Sequence, residues 1–408
     1  MSRYDNAKLR PLEVKSFVHE GQPVFYLRDP LELSNRYALV PQVLGPLLAT
    51  LDGHHTVAEM RQVFIQSTGQ LISDAEIEGL LGQLDDIYLL DNENFATVKA
   101  HALAQYRAAP YRPPALAGAS YPADPDALRR ELQAFMDATP PAEPLETGSG
   151  LFCPHIDYAR GGKVYAQLWK RARKLAQAAE VVVIFATDHN SFLPGQITPT
   201  RQNYATPFGV LPTEQSVVDA VVDVLGEENA FTEELNHRRE HSIELVVTWL
   251  HFIRDGKPVP IVPILVGSFY HFIGNGKRPA DEQELQAVLS AVKAATAGRR
   301  VLTVASGDLA HLGPAFDTEP ITPQEKIRLK RDDERMLQPL IAGDADGFFE
   351  IIRAERGERN VCGTAPFYLS LKMMGDVHGE VTGYDCCVAD DRDTSFVSVA
   401  GMVFSNSE

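Results

Sequence analysis

Two histidines, a cysteine and an Asp/His pair stand in settings where they could do chemistry. His155 lies in Cys153-Pro154-His155-Ile156-Asp157-Tyr158-Ala159-Arg160-Gly161-Gly162, and His189 in Thr187-Asp188-His189-Asn190. Asp308 and His311 share Ser306-Gly307-Asp308-Leu309-Ala310-His311, and Cys362 opens Cys362-Gly363-Thr364-Ala365-Pro366. A histidine just past a strand is a natural metal ligand or general base; the plainer alternative is a core histidine whose ring nitrogens are satisfied by its neighbours. Cys362 precedes an expected helix start, where the dipole lowers a thiol's pKa and favours the thiolate; its plainer alternative is a small buried hydrophobe. Asp308 and His311 are three apart and share a face if the turn is helical. These residues support two chemistries: a metal site, or a metal-free one with Cys362 as nucleophile, His155 or His189 as base and Asp308 as orienter. A non-enzymatic peptide- or protein-binding pocket is a third reading.

Other polar groups are expected to support the pocket. His237 and His241 are four apart, as zinc-protease histidines are, but Glu240 is misplaced for that motif. Glu240, His241 and Glu244 read as one helix face holding the pocket by hydrogen bonds. The adjoining Arg238 and Arg239 make a solvated charged face the competing reading. Asp157 and Asp188 belong to the same support, and Gly161-Gly162 suit a tight turn. Cys386 and Cys387, adjacent in a strand, point to opposite faces and read as packing.

The elements that must position these residues alternate. Val181–Phe185, Pro260–Val266 and Val301–Ala305 are continuous apolar runs, as strands buried on both faces are. Helical patterns lie at 164–179, 213–225, 242–254 and 281–297, and two closing strands, 379–388 and 395–404, read as antiparallel. This predicts an α/β domain over 115–408, with a mixed central sheet flanked by helices. Such sheets bind ligands at the carboxyl ends of their strands, where His155, His189 and Asp308 fall.

Residues 1–100 read as a separate module, with 101–114 as a Pro-rich linker. Thr56 with Glu59 and Ser73 with Glu76 are capping boxes, and Tyr88–Phe95 reads as a hairpin wing, giving a winged helix.

The chain of 408 residues has ordinary composition, 44% hydrophobic and 23% charged. A net charge of −17 argues against a nucleic-acid partner. No apolar run approaches the roughly 20 residues that span a bilayer, and the N-terminus lacks an apolar signal core. No membrane partner is expected, and a cytoplasmic location is. Four cysteines do not make a disulfide framework.

Residues 112–408 resemble the Memo family, the B component of the AmmeMemoRadiSam set. The likeness rests on the segments above together with Ala117-Gly118-Ala119-Ser120-Tyr121-Pro122, Glu240-His241-Ser242-Ile243-Glu244 and Pro263-Ile264-Leu265-Val266-Gly267. Asp157 and Thr187-Asp188 depart from the family's usual residues, while both histidines are kept. The family is similar to class III extradiol dioxygenases. That implies one transition metal on His155, His189 and Cys362, Fe(II) first, with Cu or Zn admitted by the thiolate. His311, with Asp308, would be the acid or base beside it, in an enzyme of oxidoreductase type acting on a small molecule or peptide. Residues 1–100 resemble the PqqD-like peptide-recognition domains, which implies recruitment of a peptide or a radical-SAM partner protein.

Overall fold

The computed structural model describes residues 2–274 and 276–406, and the chain divides into two compact units, Met1–Ala108 and Ala109–Glu408. In the first, β1 (Glu13–His19), β2 (Gln22–Arg28) and β3 (Ala38–Pro41) form an antiparallel sheet in that order. A short helix α1 (Gly45–Leu48) follows, then α2 (Val57–Thr68) and α3 (Asp74–Asp85). Both capping boxes form, each with the serine or threonine and the glutamate bonded reciprocally. Met60, Phe64, Ile77, Leu81 and Leu84 fill this unit's own core.

The hairpin wing expected at Tyr88–Phe95 is not there. The Asn92 side chain accepts the Phe95 N–H at 3.0 Å, and a helix, α4 (Glu93–Ala108), starts instead. Asn is a strong helix opener as well as a turn residue, and its position before Glu93 decided the matter. That helix also takes 101–108 out of the expected linker, and the unit ends at Ala108 rather than at 100.

The second unit runs α5 (Pro125–Ala138), β4 (Gly150–Cys153), α6 (Tyr158–Ala178), β5 (Val181–Thr187), β6 (Ile197–Pro199), β7 (Tyr204–Thr206), β8 (Gly209–Leu211), α7 (Gln215–Leu225), α8 (Glu227–Ala230) and α9 (Ser242–Ile253). It continues with β9 (Ile261–Val266), α10 (Tyr270–Gly274), α11 (Gln283–Ala295), β10 (Val301–Ser306), β11 (His311–Leu312), α12 (Pro323–Ile341), α13 (Ala345–Ala354), α14 (Thr364–Met374), β12 (Val377–Val388) and β13 (Phe396–Asn406). The main sheet has the order β11-β13-β4-β10-β5-β9-β6, with β12 also paired to β13. Its centre, β4-β10-β5-β9, is parallel, and its margins are antiparallel. This is the mixed, helix-flanked sheet that the alternation predicts.

Strand periodicity divides the core into two layers. Phe152, Val183, Phe185 and Ala305 pack on one face with Val217, Val221, Leu285 and Phe367. Leu151, Val182, Ile184 and Val304 pack on the other with Leu132, Trp169, Trp249 and Ile253. Each large apolar side chain so buried contributes about 1.5–3 kcal/mol. Gly161 and Gly162 sit inside α6, not in a turn. A Cβ on them would lie 2.3 Å from Ile156 and 2.5 Å from Phe135, so they are small to let these side chains close on the helix. Arg112, in the expected linker, is fully buried and pairs with Glu244, donating also to the carbonyls of His237 (2.9 Å) and Glu240 (2.8 Å). Residues 109–114 are thus part of the α/β unit.

Candidate metal centre

Strands β4, β10 and β5 are adjacent and parallel, so their carboxyl ends lie side by side. His155 follows the first, Asp308 the second and His189 the third. A third histidine, His241, joins them from the start of α9. The rings of His155, His189 and His241 have centroids 4.9, 5.2 and 4.6 Å apart, and each offers a ring nitrogen within 4.8 Å of the other two.

The other nitrogen of each ring is already engaged. Glu240 accepts from His189 Nδ1 (3.1 Å) and His241 Nδ1 (3.0 Å) through one oxygen. It also accepts the backbone N–H groups of His189 (2.8 Å), His241 (2.7 Å) and Ser242 (3.0 Å). His155 Nδ1 lies 3.2 Å from Ser306 Oγ, and its backbone N–H donates to Asp308 Oδ1 at 2.9 Å. Nε2 is therefore the nitrogen left over on His189 and His241, and on His155 it faces Cys362 Sγ; an acceptor on the far side is how ligating histidines are held.

Cys362 stands beside this trio. Its Sγ is 3.2 Å from His155 Nε2 and accepts the Asp308 N–H at 3.2 Å. Asp308 Oδ2 is 3.8 Å from the same His155 nitrogen. The close approach depends on glycine: a Cβ on Gly307 would fall 2.3 Å from Gly363 Cα. Thr187 Oγ1 donates to the Cys362 carbonyl at 2.9 Å, tying β5 to the same turn.

Burial shapes the electrostatics. It drives His155 well below the ordinary histidine pKa, with His189 and His241 adding to the effect. Burial also opposes charge on Glu240 and on His241. Mutual attraction outweighs it: the two histidines hold Glu240 well below the usual carboxylate range, and Glu240 raises His241. Asp308 is pushed up to about 6 by burial, despite the bond from His155. Burial and the Asp308 carboxyl push the Cys362 thiol well up. The lowered thiol pKa expected from the helix start is thus reversed, because desolvation of the partly buried sulfur and the Asp308 carboxyl beside it exceed the dipole's contribution.

The remaining expected residues fall as follows. Asp157 caps α6 through the Arg160 N–H (3.1 Å) and pairs with the Arg160 side chain, so it orders the helix after His155 rather than holding a ring. Asp188 accepts from Asn236 Nδ2 (2.9 Å) and is pushed up to about 8 by burial and by Glu240. Asp308 and His311 do not share a helical turn; residues 307–310 belong to no helix or strand and His311 opens β11. His311 Nδ1 donates to the carbonyls of Asn360 (3.0 Å) and Leu309 (3.2 Å), and burial, helped by His189, lowers its pKa to about 4. His237 and His241 do not share a helix either. His237 is a core residue between Tyr204 Oη (2.6 Å) and the Thr198 carbonyl (2.8 Å). Sequence reasoning put His241 among the supports, whereas it stands with the imidazoles that Glu240 supports. Cys387 is buried packing, as expected.

Beside His189 and Cys362 opens a cleft of about 290 Å³. Val266, Phe269, Tyr270, Ile273, Val361 and Ala365 give it apolar walls, and among the described residues no lysine or arginine lines it.

Comparison with known proteins agrees with this architecture. The family model described as Memo-like protein matches residues 112–403. A MEMO1 family protein of Aquifex aeolicus is 25% identical over 395 residues, covering 93% of this chain and 96% of its own length. A coverage of that size takes in most of the N-terminal unit. MEMO1 family proteins of Methanosarcina barkeri and Archaeoglobus fulgidus are each 27% identical, covering 67% and 72% of this chain and 91% and 99% of their own. With the family model spanning well over half of its length, the chain belongs to the Memo family.

Proposed function

We propose that the chain is a metal-dependent enzyme of oxidoreductase type, holding one transition metal ion on His155, His189 and His241 with Cys362 alongside. The observation that carries this is the convergence of three imidazoles whose Nδ1 atoms are all engaged elsewhere. Three nitrogens with a thiol nearby suit Fe(II), Cu and Zn, and Fe(II) is the first expectation. The metal, when bound, supplies Lewis-acid or redox chemistry. The chain's own residues do the rest. Glu240 and Ser306 orient the rings. His311 is neutral near pH 7 with Nδ1–H fixed on two carbonyls, which leaves Nε2 to take a proton. The cleft takes the substrate, a small molecule or a peptide side chain with an apolar body, for which it offers apolar walls beside His189 and Cys362. Reconstitution with Fe(II) without oxygen, followed by exposure to dioxygen, tests the reading. Oxygen uptake above that of His189→Ala is expected; equal uptake contradicts it.

The N-terminal unit supports a second role, recruitment of a peptide or a radical-SAM partner protein. β1 is an edge strand with Val14, Phe17 and Val18 exposed, a ready template for an added strand. Pull-down of synthetic peptides by wild type but not by Val18→Pro is the expected result; equal capture by both contradicts it.

A further inference from the structure

His189 and His241 have a carboxylate behind them. His155 has only a hydroxyl, and the proton count at that hydroxyl decides its ring chemistry. Ser306, fully buried at the end of β10, sends its O–H to the Ser242 carbonyl at 2.7 Å. A serine has one such proton. Toward His155 Nδ1, 3.2 Å away, Ser306 Oγ is then left only to accept. We infer that Ser306 is a positioning residue that fixes His155 as the Nδ1–H tautomer and so turns its Nε2 lone pair toward the metal position.

The opposite arrangement would put the Ser306 proton on Nδ1 and an Nε2–H on Cys362 Sγ. It gives up the shorter of the two Ser306 contacts, strips the buried Ser242 carbonyl of that donor, and removes the lone pair a metal needs. Ser242 links the two kinds of support. Its N–H is on Glu240 (3.0 Å), its own hydroxyl donates to the Thr187 carbonyl at 2.7 Å, and its carbonyl receives Ser306. One residue at the mouth of α9 thus ties the carboxylate behind two imidazoles to the hydroxyl behind the third.

This rests on the metal reading above, and the experiment separates the two. Full-length protein, stripped of metal with a chelator and labelled with ¹⁵N-histidine, is examined by long-range ¹H–¹⁵N correlation. The His155 signals are identified by their loss in His155→Gln. The Nδ1–H tautomer is expected in the wild type, and an Nε2–H ring overturns the inference whatever the metal does. Ser306→Ala should lose the single-tautomer signature and bind zinc about 10–100-fold more weakly in competition with a chromogenic chelator, and Ser306→Thr, which keeps the hydroxyl, should restore both. An unchanged tautomer with unchanged zinc affinity in Ser306→Ala also overturns it. If Ser306→Ala does not fold, the wild-type spectrum still decides. If the wild type binds neither zinc nor Fe(II), the metal reading fails while the tautomer result still decides the role of Ser306.

Discussion

Glu240→Gln is the substitution whose outcome follows most directly from the contacts. The carboxylate is almost wholly buried and accepts only N–H donors, five of them. Oε1 takes His241 N and Nδ1, Ser242 N and the closer bond from His189 Nδ1; Oε2 takes His189 N at 2.8 Å. A glutamine keeps its shape but has one oxygen. With that oxygen at the Oε1 position, the amide NH₂ faces the His189 N–H, donor against donor, and the His241 side survives. An unmatched buried donor costs about 1–3 kcal/mol, and the histidines lose a charged partner as well. Glu240→Gln should therefore lower stability by about 2–3 kcal/mol. Glu240→Ala, which frees all five donors, should cost about 3–5 kcal/mol. Chemical denaturation of the metal-free chain measures both. Metal affinity should fall about 10–100-fold in Glu240→Gln, with NMR showing the His189 backbone amide released while both imidazoles keep their bond to the remaining oxygen. Wild-type affinity and stability in Glu240→Gln would refute the claim that this carboxylate orients the rings.

Three further outcomes follow from single contacts. Arg112→Ala leaves Glu244 buried without its cation and should cost about 3–5 kcal/mol by denaturation; accordingly a truncated chain starting at Ala109 should fold, and one starting at Pro113 should be far less stable. His237 has a pKa lowered to about 3 by burial, so folding favours its neutral form: its contribution is complete above the unfolded-state value near 6.5 and is lost as pH falls from there toward 3, and His237→Asn should flatten the acid limb of the stability–pH curve in that window. Cys362, with its thiol pushed up by burial, should react with iodoacetamide near pH 7.5 more slowly than a free thiol even without metal; rapid alkylation would favour the rival in which Cys362 is the nucleophile.

The α/β unit was readable from sequence because buried parallel strands are continuous apolar runs with no polar residue to confuse the period. His155 and His189 could be read for the same reason: each follows such a run. His241 could not. It sits among Arg238, Arg239 and Glu240, which look like a solvated face, and only packing shows Glu240 to be buried. One cue was available: α9 is apolar all round from Ile243 to Ile253 except for Glu244, Thr248 and His251, and a helix so buried carries its N-terminal polar residues into the interior. β1 was missed because its residues are largely exposed, so no hydrophobic alternation marks it. The thiol pKa was misjudged because a helix start is visible in sequence and desolvation is not.

Elemental analysis of the untagged chain, purified without oxygen, is the most direct test of the central claim, with His155→Ala, His189→Ala, His241→Ala and Cys362→Ser measured beside it. About one transition metal per chain is expected in the wild type, as a single site of this kind implies. Each histidine variant should lose most of it, His241→Ala as fully as the other two. Full occupancy in His241→Ala would return that residue to a supporting role, and full occupancy in all three would contradict the metal centre itself.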